Sequence, residues 1–130
     1  MARRKAVPLT PLELDVMKVL WRLGQGNVQT VQQALARELA YTTVQTVLNI
    51  LNRKGKVKRA KRSRAYFYKP AVSQSQVARH AVNELVERLF RGSEESLVMS
   101  LLDARRLTPQ KLDRLNKLIR TAQEADRDQS

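Results

Sequence analysis

The sequence predicts a mainly α-helical chain carrying one small β-hairpin, and three observations point there. Apolar residues recur every three or four positions along most of the 130 residues. Helix-capping combinations stand at the starts of the periodic segments. β-forming residues cluster once, around residues 57–69, on either side of a short polar turn. Composition agrees: the apolar fraction is 42% but aromatics are only 5%, so the core must be built from Leu, Val and Ala on helices.

The first helix starts at Pro11. Thr10 caps it, Glu13 completes a capping box, and Leu9 is placed to staple onto Leu14. It runs through Met17, Leu20 and Trp21 to about Leu23, where Gly24 and Gly26 end it. Asn27 caps a short second helix with Val28, Val31, Leu35 and Leu39 as its stripe. A third helix spans Tyr41 to Lys54, with Val44, Val47, Leu48 and Leu51 on one face and Gly55 at its end. Lys56–Arg62 and Ala65–Lys69 then form a hairpin around Arg62-Ser63-Arg64 and are closed by Pro70. Either Phe67 or the pair Tyr66 and Tyr68 packs that hairpin onto the helices.

Ser73 with Gln76 opens a long fourth helix whose apolar face is Val77, Ala81, Val82, Leu85, Val86, Leu89 and Phe90. Gly92 stops it and Ser93 caps a fifth, with Glu94 and Glu95 favourably placed against the N-terminal dipole. Thr108-Pro109 starts a sixth along Leu112, Leu115, Leu118, Ile119 and Ala122, and its end frays beyond Glu124.

Charge divides this chain in two. Residues 1–80 hold 16 Lys and Arg against Glu13, Asp15 and Glu38, a balance of +13, whereas residues 81–130 hold 9 basic and 9 acidic residues. A basic half beside a neutral half reads as a polyanion-binding module joined to a second function. We expect a DNA-binding domain over 1–71 and a helical dimerisation domain over 72–130. Three helices followed by a basic hairpin is the order of a winged helix-turn-helix.

The third helix supplies the candidate base-reading face: Thr42, Thr43, Gln45, Thr46, Asn49 and Arg53, opposite its apolar stripe. Amides, hydroxyls and a guanidinium are the groups that pair with base edges in a major groove, and no carboxylate stands among them to repel phosphate. Between Arg53 and Lys69 lie nine basic residues and no acidic one. Of these, Lys54, Lys58, Arg59, Lys61, Arg62 and Arg64 are the candidate backbone contacts. Arg3, Arg4 and Lys5 could form a basic arm on the same backbone.

The apolar positions of the last three helices exceed what some 55 residues can bury among themselves. Val82, Leu85, Val86, Leu89, Leu97, Leu101, Leu112, Leu115 and Ile119 are therefore candidate dimer contacts, in keeping with two reading heads on two half-sites.

Other functions find little support. Cysteine is absent, which removes disulfides and thiolate chemistry. His80, the single histidine, has no partners for a metal site or a triad, so we expect no enzyme, no metal and no cofactor. No apolar run approaches the roughly 18 residues of a membrane span, and a cytoplasmic protein is expected. A non-specific nucleic-acid binder, for which the basic run would suffice, is the competing reading; a winged-helix regulator with a small-molecule effector is a second.

Leu9-Thr10-Pro11-Leu12-Glu13-Leu14-Asp15-Val16-Met17 with Leu20-Trp21, Ala40-Tyr41-Thr42-Thr43-Val44-Gln45-Thr46-Val47-Leu48, Arg64-Ala65-Tyr66-Phe67-Tyr68-Lys69-Pro70, and Leu97-Val98 ahead of Leu107-Thr108-Pro109 resemble the penicillinase-repressor (BlaI/MecI) family over about residues 8–120. The resemblance implies a homodimeric repressor of β-lactamase-type or other stress-response genes, its third helix in the major groove of a palindromic operator. In several members of that family a regulatory protease cuts an Asn-Phe bond inside the fifth helix. The corresponding place here is Ser100-Leu101, a departure from that pattern. Related copper-responsive repressors carry C-terminal cysteine pairs, which this chain lacks.

Overall fold

A computed structural model describes residues 8–128, so the basic arm at Arg3, Arg4 and Lys5 lies outside the described residues. The elements follow in the order α1 (Pro11–Leu23), α2 (Val28–Ala34), α3 (Tyr41–Arg53), β1 (Val57–Arg62), β2 (Ala65–Pro70), α4 (Gln74–Leu89), α5 (Glu94–Asp103) and α6 (Pro109–Asp128). The chain forms two compact units, one through Val82 and one from Asn83, divided inside α4.

In the first unit the helix boundaries are chemical. The Thr10 hydroxyl accepts from the Glu13 N–H at 3.2 Å while the Glu13 carboxylate accepts from the Thr10 N–H at 2.8 Å, closing the capping box of α1. The Asn27 side chain accepts from the Thr30 N–H and hydroxyl, both at 2.8 Å, to start α2. This helix stops at Ala34, because Leu35 turns to extended backbone. Leu39, read from sequence as the end of its stripe, instead reaches the core from the connection to α3, which the Gln32 amide braces by donating to the Leu39 carbonyl at 2.9 Å.

At the end of α3, Gly55 takes φ 75°, the Lys56 N–H bonds the Leu51 carbonyl and the Gly55 N–H bonds that of Asn52. This is the Schellman arrangement, and it turns the chain directly into β1. β1 and β2 pair antiparallel from Val57 opposite Pro70 to Arg62 opposite Ala65, across a two-residue turn in which Ser63 has φ 57°. The core joins Val16, Met17 and Leu20 of α1, Val28 and Val31 of α2, Val44, Val47, Leu48 and Leu51 of α3, and Val57 and Tyr68 of the hairpin. Gly26 and Tyr68 exchange both backbone bonds, at 3.0 and 2.8 Å, and the Trp21 indole donates to the Val72 carbonyl at 2.9 Å.

The capping box of α4 is formed by Ser73 and Gln76, and Ser93 and Thr108 cap the next two helices. α6 continues to Asp128 rather than fraying after Glu124, since Ala122, Gln123, Glu124 and Ala125 are good helix formers although polar in sum. Among the described residues from 83 onward, Val86 is the one buried apolar side chain; Leu85, Leu89, Val98, Met99, Leu102, Leu115, Leu118 and Ile119 are exposed.

Candidate nucleic-acid interface

α3 presents two faces because Val44, Val47, Leu48 and Leu51 anchor it in the core at helical spacing. Thr42, Thr43, Gln45, Thr46 and Arg53 are thereby left exposed on its outer side. The Thr46 hydroxyl donates to the Thr42 carbonyl at 2.9 Å, which fixes its rotamer while leaving its lone pairs free to accept. Asn49 sits half-buried at the edge of this face. Its side-chain oxygen accepts from the Tyr68 hydroxyl at 3.1 Å and from Arg59 Nη1 at 3.2 Å, so α3 and the wing meet at this amide.

Strand register sorts the wing's cations. Arg59 and Lys61 share one side with Tyr66 and the buried Val57 and Tyr68, whereas Lys58, Arg62 and Lys69 share the other with Phe67. Arg64 lies in the turn. All six cations are exposed. Tyr68, only 2% exposed, is the aromatic that packs the wing onto the helices. Tyr66 stays outside and carries the Arg59 guanidinium 4.5 Å from its ring centre; Arg62 lies 5.6 Å from that of Phe67.

Lys54, read from sequence as a backbone contact, is turned inward. Its Nζ lies 2.8 Å from Glu13 Oε1, with the carboxylate almost wholly buried. Burial opposes ionisation of Glu13, but the hydrogen bonds from Lys54 and Thr10 and the lysine charge more than offset it, so the carboxyl lies below its ordinary value. The pair ties the start of α1 to the end of α3. Asp15 meets Arg37 at 3.0 Å in an exposed pair, leaving the stretch from Tyr41 to Lys69 wholly without acidic residues.

Three features were not anticipated from sequence: the Glu13–Lys54 pair, the Asn49 joint and the Trp21–Val72 bond. The scarcity of acids among so many cations was the one available signal for the first. Of the positions expected to pair subunits, Val86 is 7% exposed and spent inside the chain, and Leu97, Leu101 and Leu112 are half-buried; Val82, Leu85, Leu89, Leu115 and Ile119 remain open. Among the described residues no group of three or more His, Cys, Asp or Glu side chains is placed to hold a metal, and no helix is long and apolar enough to cross a membrane.

Comparison with known proteins bears on this arrangement. The family described as "Penicillinase repressor" matches residues 9–121. The penicillinase repressor of Bacillus licheniformis is 25% identical over 118 residues, covering 89% of this chain and 92% of its own. The transcriptional regulator BlaI of Mycobacterium tuberculosis is 35% identical over 103 residues, 76% of this chain and 75% of that protein. A solution structure of monomeric Bacillus licheniformis BlaI in complex with the blaP half-operator aligns with a TM-score of 0.47 and 32% identity, over 55% of this chain and 89% of that one.

Proposed function

The chain belongs to the penicillinase repressor family, and from that premise we propose that it is a cytoplasmic transcriptional repressor that binds a palindromic operator as a homodimer. The observation that carries this reading is the acid-free outer face of α3 with a hairpin, every charged residue of which is basic, fastened beside it. Thr42, Thr43, Gln45, Thr46 and Arg53 read base edges in the major groove. Lys58, Arg59, Lys61, Arg62 and Arg64 neutralise phosphates and supply affinity without sequence information. The DNA-binding part ends near residue 71, where the hairpin closes, and the helices from residue 72 onward serve dimerisation.

A second copy of the chain is the natural cover for the exposed leucines and Ile119. Residues 81–130, which carry them, hold equal numbers of basic and acidic residues, and each side chain fully removed from water contributes about 1.5–3 kcal/mol. The regulated gene is of the penicillinase type or another stress-response gene, and a regulatory protease is a further partner. No step of this role calls for catalysis.

The test is electrophoretic mobility shift of the purified protein on its own upstream promoter DNA, with excess random duplex, at near-physiological salt. A discrete band that survives the competitor is the expected result. A smear abolished by random duplex would favour the non-specific binder.

A further inference from the structure

Among the described residues, Arg59 is the one wing cation held from two directions. Its Nη1 donates to Asn49 Oδ1 at 3.2 Å, and its guanidinium lies 4.5 Å from the ring centre of Tyr66. The same Asn49 oxygen takes the Tyr68 hydroxyl at 3.1 Å, and Tyr68 is itself fixed by burial and by its two backbone bonds to Gly26. Asn49 is thus locked from below by the core and in turn locks an exposed cation above it.

A bidentate adenine contact requires both the oxygen and the nitrogen of an asparagine amide. Here the oxygen already serves two donors of the same chain. The acceptor is also neutral. A carboxylate at this place would hold the guanidinium more strongly, but it would cancel the charge and repel phosphate, whereas an amide leaves the full positive charge of Arg59 available. The guanidinium Nε and Nη2 make no hydrogen bond or ion pair among the described residues.

We infer that Asn49 is a positioning residue that pre-orients Arg59 toward the DNA backbone, and that it does not read a base. The inference rests on the DNA-binding role proposed above and refines it. It changes what Asn49 contributes, from discrimination between sequences to affinity for any duplex.

The experiment is a double-mutant cycle in the full chain with Asn49→Ala, Arg59→Ala and the pair together, plus Asn49→Asp as a near-isosteric control. Affinity is measured on the promoter duplex and on a random duplex of equal length, across a salt series. Asn49→Ala should weaken both duplexes by the same factor, about three- to tenfold, as for one lost hydrogen bond. The double variant should be no weaker than Arg59→Ala alone. Asn49→Asp keeps Arg59 in place but pairs its charge, so the salt slope should fall by about one, as in Arg59→Ala. A purely structural role at position 49 would leave that slope unchanged, which would overturn the inference.

Asn49→Ala losses confined to the promoter duplex and additive with Arg59→Ala would equally overturn it, making Asn49 a base reader. If the wild-type chain showed no preference for the promoter, the proposed operator function would fail instead. The coupling between Asn49 and Arg59 would still be read on random duplex.

Discussion

At neutral pH the Glu13 carboxylate holds two donors from different parts of the chain, the Thr10 N–H and the Lys54 ammonium, each at 2.8 Å. Its folded-state value lies below the ordinary 4.5, so the stability it contributes is complete above about pH 4.5 and disappears as pH falls through the depressed folded value. Glu13→Gln should therefore cost about 1–3 kcal/mol at pH 7, since a buried hydrogen-bonding group is left poorly matched. The gap to wild type in urea denaturation should shrink as pH falls from about 4.5 through the depressed folded value. Gln45 makes no such internal bond among the described residues and stands exposed on α3. Gln45→Ala should reduce promoter-over-random preference by about 1–3 kcal/mol in competition binding, at an unchanged salt slope. An equal loss on both duplexes would remove Gln45 from the reading face.

At the scale of elements, the wing acts as a sorted set of charges. Arg64 in the turn and Arg62 on the side away from Tyr68 form no ion pair among the described residues. Neutralising both to Gln should weaken promoter and random duplex alike and lower the salt slope by about two, measured by titration between low and physiological salt. The element order and most boundaries could be read from the sequence, because caps are local: Thr10 with Glu13, Asn27 with Thr30, and Ser73 with Gln76 all act within three residues. The outer face of α3 was legible for a similar reason, since helical periodicity assigns sides once Val44, Val47 and Leu51 are taken as core. What escaped is non-local. Lys54 meets Glu13 across 41 positions and Tyr68 meets Asn49 across 19, and within a run of nine cations nothing one-dimensional says which will turn inward. The early end of α2 escaped too, because Leu39 keeps its apolar spacing while leaving the helix.

At the scale of the whole molecule, the net positive charge falls within residues 1–80 and most exposed large apolar side chains beyond them, so affinity for DNA and self-association are separable by mutation. Leu89 and Leu118 are 68% and 65% exposed, which leaves little packing within one chain to lose. Leu89→Asp with Leu118→Asp should convert a sedimenting dimer to monomer and weaken promoter binding strongly, while cooperative unfolding of the N-terminal unit persists. A double variant that sediments as the dimer would relocate the interface. The paired bonds between Gly26 and Tyr68 join the segment after the first helix to the last strand of the wing. Neither amide can open unless strand and helices part company. In native-state hydrogen exchange the Gly26 and Tyr68 amides should therefore exchange together, at the slowest rate of the N-terminal unit, well behind the amides near Ser63. Such a shared rate would mark the helices and the base of the wing as one cooperative unfolding unit, with only the hairpin tip free to fray on its own.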